Sequence, residues 1–85
     1  MNLEEQTEVI KKADAELREA GIPVTGIYLP TQDTDAGLEI DGKFVLQYAP
    51  YEAPGFFLDH VKEPGESITS FSSISSLIKF MMEDA

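Results

Sequence analysis

The chain has 85 residues, 42% of them hydrophobic and 26% charged, and sixteen acids against six bases give a formal net charge of -10. That length suits one small domain spanning 1–85, and the composition is that of a folded chain. The absence of cysteine and the single histidine exclude disulfides, thiolate or His-cluster metal sites and a Cys nucleophile. Phosphates would be repelled by this charge, so direct nucleic-acid binding is not expected. No apolar run approaches the roughly 20 residues of a membrane span, and no signal-peptide pattern opens the chain. A cytoplasmic protein is expected.

The first segment predicts a helix over 2–20. Asn2 is suited to the N-cap, and Glu5 stands where a capping box needs it. Leu3, Ile10, Ala13, Leu17 and Ala20 recur at helical spacing, with a polar gap at Gln6. Glu8–Lys12 and Asp14–Arg18 are i,i+4 pairs in the favourable order. Gly21 and then Pro23 end the helix.

Residues 24–29 read as a strand closed by Pro30, followed by a polar turn from Thr31 to Asp35. Runs at 36–39 and 43–49 flank Ile40-Asp41-Gly42, a hairpin signal. A two-residue Asp41-Gly42 turn would split the apolar residues between two faces. A three-residue Ile40-Asp41-Gly42 connection with a left-handed Gly42 keeps them together. It sets Leu38 opposite Phe44, and Glu39 opposite Lys43 on the solvent side. A proline-bounded loop at 50–54 precedes a fourth strand at 56–61, which Glu63-Pro64-Gly65-Glu66 breaks. Phe71 to Ala85 reads as a second helix capped by Ser72 or Ser73, with Ile74, Leu77, Ile78 and Met81 on one face and a frayed end at Glu83 and Asp84. The order α-β-β-β-β-α predicts a two-layer α+β sandwich: a four-stranded antiparallel meander with both helices on one face.

Alternation places Ile27, Leu29, Leu38, Phe44, Leu46, Tyr48, Phe56 and Leu58 towards the helices. They should meet Leu3, Ile10, Leu17, Ile74, Leu77, Ile78 and Met81. The other side then carries Tyr28, Glu39, Val45, Gln47, Phe57, Asp59 and Val61. Half apolar and half acidic, it reads as an ordinary solvated face or as a partner-binding one.

Catalytic and metal motifs are missing. Asp33, Asp35 and Gly37 fail as a calcium loop, because glycine falls fifth and Phe44 stands twelfth, where a bidentate glutamate belongs. Asp59 and His60 are strand neighbours and point opposite ways, so they imply no catalytic pair. The serines from Ser67 to Ser76 fit a helix start and a polar helix face. No cofactor is expected, and no enzyme. What stands out is charge: residues 21–60 hold six acids and one base, Lys43. Such a surplus keeps a protein apart from its neighbours, or it imitates nucleic-acid phosphates and seeks a basic groove.

In type — short, acidic, cysteine-free, without catalytic motifs — the chain resembles phage-encoded inhibitors of host defence such as anti-CRISPR and anti-restriction proteins. The likeness rests on no motif and transfers no residues. It implies a non-enzymatic inhibitor that occludes a basic site on a nucleic-acid-processing enzyme. An immunity protein or antitoxin is the alternative, and a small accessory ligand-binding domain a further one. The expected partner is a protein with a basic surface, and an uncovered sheet face or edge strand offers a second route, pairing with a copy of the chain itself. The expected contact residues are Tyr51, Glu52, Phe57 and Asp59, with Tyr28, Glu39 and Gln47 on the same uncovered face.

Overall fold

The computed structural model describes residues 2–83, with backbone alone for 63–67. Helix α1 (Leu3–Glu19) is followed by β1 (Val24–Tyr28), β2 (Ala36–Ile40), β3 (Phe44–Tyr48), β4 (Phe56–His60), β5 (Glu63–Phe71) and helix α2 (Ile74–Glu83). The strands form one antiparallel sheet in the order β1-β2-β3-β4-β5. The α+β class and the meander are therefore as expected, but the sheet has five strands rather than four.

The α1 termini follow from local chemistry. Asn2 Oδ1 accepts from the Glu5 N–H at 2.8 Å. At the other end Gly21 has φ +83°, and Ile22 and Gly21 donate to the carbonyls of Leu17 and Arg18. This is the paired bonding of a Schellman motif, which satisfies carbonyls the helix cannot. Gln6, Ile10, Ala13 and Leu17 are buried at steps of four and three residues. Gln6 thus continues the inward stripe rather than interrupting it, and Leu3, expected in the core, is 40% exposed.

The largest departure from the expected fold is β5. Pro64-Gly65 has the composition of a break, yet the backbone pairs on both sides of it. His60 pairs with Glu63 and Asp59 with Ser67, so three residues are extra on the β5 side. An edge strand tolerates this, because Pro64 falls among the residues with no partner on β4 and so removes no ladder bond. Beyond the irregularity Thr69 pairs with Leu58 and Phe71 with Phe56. Phe71 therefore ends a strand instead of starting a helix. It is buried, with its ring centroid 5.5 Å from that of Phe80. Ser73 Oγ accepts from the Ser76 N–H at 3.3 Å and caps α2. Asp84, placed in the expected frayed end, lies outside the described residues.

The β2–β3 hairpin takes neither anticipated register. Ile40 pairs with Phe44, Glu39 with Val45 and Leu38 with Leu46. Asp41 and Gly42 both have positive φ, 54° and 64°, and Lys43 N–H donates to Ile40 O at 3.0 Å. Pairing then steps over Lys43. The turn owes this to β1: Asp41 N–H donates to Pro23 O, and Gly42 N–H to Thr25 Oγ1. Glu39 does not meet Lys43. Its carboxylate accepts from Thr25 Oγ1 at 2.8 Å, while Lys43 Nζ lies 3.8 Å from Asp41. The observed register shifts the expected one by two residues, so every side chain keeps its face.

One cluster joins Ile10, Ala13 and Leu17 of α1 and Ile74 and Leu77 of α2 to Leu38, Ile40, Leu46 and Leu58 of the sheet. Both helices therefore cover the same face. Val24, Ala36, Ile40 and Phe71 also belong to this core, beyond the residues that alternation assigned to it. Ile27 and Leu29 were expected in it and are 41% and 55% exposed. They lie at and just past the end of the edge strand, where Ile27 keeps the helix-side face opposite Leu38 but no helix covers it; the register shift between Val24 and Gly26 is what brings Val24 onto that face.

Candidate partner-binding face

The face away from the helices is built by register. Tyr28 pairs with Gly37, Gly37 with Gln47 and Gln47 with Phe57, forming one row across β1 to β4. The next row runs Gly26, Glu39, Val45 and Asp59. Four of the expected contact residues, Tyr28, Glu39, Gln47 and Phe57, thus share a surface. Tyr28 is exposed, and the other three are half-buried. Asp59 lies on this face but is buried at 8%, so it offers a partner little surface.

Gly37 makes room for this arrangement. A Cβ there would stand 2.8 Å from the Leu46 carbonyl oxygen, and 3.6 Å from the Tyr28 ring. Glycine lets the backbones approach and lets Tyr28 lie over them.

Asp35 organises the rim, a role that nothing in its sequence neighbourhood signals. Its carboxylate accepts from Gln47 Nε2 at 2.7 Å and from the Tyr51 hydroxyl at 2.5 Å. These bonds join the β1–β2 loop to β3 and to the β3–β4 loop. Tyr51 is therefore not a freely projecting side chain, although it is 72% exposed. Its phenol pKa is raised above 10.0, first by the hydrogen bond to Asp35, then by lost hydration and the negative charges of Asp35 and Glu52. Ionising it would break that donation and add a charge beside two carboxylates. Glu52 next to it is exposed, and its N–H donates to Ala49 O. The loop before Asp35 is also internally bonded. Thr31 Oγ1 accepts from the N–H groups of Asp33 and Thr34, and Thr31 N–H donates to Thr34 O.

Between this loop and the sheet lies an open cleft of about 740 Å³, with Tyr28, Asp33, Asp35, Gly37, Val45 and Gln47 among its lining residues. It combines an apolar floor with carboxylates at the margin, a combination suited to a basic side chain with an aliphatic stem. A second cleft, about 530 Å³, lies at the far end of the sheet between Lys43, Phe44, His60 and Lys62. His60 stacks there on Phe44 at 5.2 Å, away from the carboxylate of Asp59, which follows the opposite face.

No group of three or more His, Cys, Asp or Glu residues suited to a metal occurs among the described residues. Among the same residues, no helix is long and apolar enough to cross a membrane. No family model, curated protein or solved structure matches the chain.

Proposed function

We propose that the protein is a non-enzymatic, acidic protein-binding module that occludes a basic nucleic-acid-binding site on another protein, in the manner of phage-encoded inhibitors of host defence. One observation carries the reading: the helix-free sheet face sets Tyr28, Val45 and Phe57 among Asp33, Asp35 and Glu39. Residues 20–42 contribute four acids and no lysine or arginine. Aromatic anchors supply affinity at such a surface, while the carboxylates steer a basic partner and reject acidic ones. The alternatives of immunity protein and antitoxin use the same surface physics.

Affinity capture from the cells that make the protein, followed by association kinetics with the captured protein, tests this. The expected partner has a basic nucleic-acid groove and loses nucleic-acid binding when the module is bound. Its association rate should fall about tenfold or more between low and physiological salt. Tyr51→Ala and Phe57→Ala should weaken the complex while leaving the circular dichroism spectrum intact. A toxin as partner would instead make the protein an immunity protein or antitoxin. A salt-indifferent rate would remove the electrostatic basis of the proposal.

A further inference from the structure

We infer that the docking strip is the free edge of β1, and that its occupant is an extended, basic segment of the partner protein. This rests on the reading above and locates the contact within it. The strand is the first in the sheet and, among the described residues, pairs only with β2. An edge strand directs half of its backbone N–H and C=O groups outward, where another extended chain can bond to them.

Three features distinguish this edge. Ile27, Tyr28 and Leu29 are consecutive and each more than two-fifths exposed, at 41%, 47% and 55%. A run of three exposed large apolar residues disfavours an isolated fold and is retained where it has a use. The acidic cleft borders the same run, since Ile27, Tyr28 and Leu29 line it together with Asp33 and Asp35. Finally, the loop that carries these carboxylates is held in shape by Thr31 and by the Asp35 bonds to Gln47 and Tyr51. A segment laid along β1 would bring alternate side chains over the cleft, where an arginine or lysine could rest its stem on Tyr28 and its charge near Asp33.

Charge decides between a foreign segment and a second copy. Two copies meeting edge to edge would each bring a formal net charge of -10 and the same carboxylates. Their repulsion opposes the dimer, whereas a basic segment is drawn in. The shift in register between Val24 and Gly26 confines regular pairing to the end of the strand that carries the apolar run.

The test is a two-dimensional NMR titration of the full chain with two ten-residue peptides, one alternating arginine with valine and one alternating glutamate with valine. The arginine peptide should shift and protect amides within 26–29 and 33–37, and the glutamate peptide should leave them unchanged. Ile27→Lys and Leu29→Lys should each weaken the arginine peptide at least tenfold without altering the remaining spectrum. Shifts confined to α1 or β5 would overturn the β1 assignment and leave the wider proposal standing. Equal binding of both peptides at β1 would refute the basic occupant, and the wider proposal with it. Failure of both peptides to bind, or a concentration-dependent dimer protected at β1, would also overturn the inference.

Discussion

Two glycines test backbone geometry in different ways. At Gly37 the obstacle is space, because an added Cβ falls 2.8 Å from a backbone oxygen that cannot turn aside. Gly37→Ala should cost about 1–3 kcal/mol in urea unfolding, as overpacking does. Gly26→Ala on the same face is the control, with its nearest approach an ordinary 3.4 Å. At Gly42 there is open space but φ is +64°. Gly42→Val should therefore lose roughly 1–2 kcal/mol through the backbone alone, and Gly42→Asn much less. Equal losses for Val and Asn would show that the left-handed conformation is not what glycine provides there. Tyr51 offers a titration test. Its pKa is raised above 10.0 in the folded protein, so the stabilising donation to Asp35 is fully present below the unfolded value. It is lost as the pH rises through the folded one. The Tyr51 ring signal should titrate at lower pH in Asp35→Asn than in the parent, since both the acceptor charge and its repulsion of phenolate are gone. An unchanged midpoint would mean that the hydrogen bond does not form in solution.

At the scale of elements, α1 was legible because its signals are local. The cap at Asn2, the stop at Gly21 and the spacing of Ile10, Ala13 and Leu17 all lie within one short segment. Helix α2 was legible in its apolar face and in its cap, which is Ser73 of the two serines expected. Phe71 belongs to β5 instead, and Ser73→Ala should lower stability by about 1 kcal/mol in thermal or urea unfolding. No change would show that the hydroxyl adds nothing to the bonds already made by the helix backbone. The β2–β3 hairpin shows why turn chemistry was not sufficient. Asp41-Gly42 marked the turn correctly, and parity put Leu38, Leu46 and Tyr48 on one side. The residue stepped over depends on Pro23 and Thr25, which lie outside the hairpin and bond to the turn. Strand β5 escaped notice for a related reason. Pro64-Gly65 carries a strong local stop signal, and only the position at the sheet edge makes it compatible with a strand.

Across the whole molecule, negative charge governs the surface. Asp41–Lys43 is an ion pair between two exposed side chains, and in Asp14–Arg18 the arginine is exposed while Asp14 is half-buried; pairs so open to solvent contribute little. Sixteen acids against six bases leave net repulsion that opposes the compact state. Sodium chloride raised from about 10 mM to about 0.5 M shortens the screening length severalfold. It should therefore raise the thermal unfolding midpoint, and a falling midpoint would show that attractive pairs outweigh the repulsion. The same salt should slow association with a basic partner, so stability and binding rate are expected to move in opposite directions.

Composition, charge, the antiparallel α+β class, α1 and the division of β2, β3 and β4 into two faces were determined by the sequence itself. Each depends on neighbours within a helical turn or on strict alternation, and a two-residue slip in register leaves alternation untouched. Tyr28, Glu39, Gln47 and Phe57 could be assigned to one face for that reason. Tertiary structure alone decided which of them are reachable, that Asp59 is buried, and that Asp35 gathers Gln47 and Tyr51. It also decided that Ile27 and Leu29 stay open at the β1 edge instead of entering the core. Exposure depends on which elements arrive from distant parts of the chain. Although α1 packs on β1 and β2, it leaves that end of the edge strand uncovered.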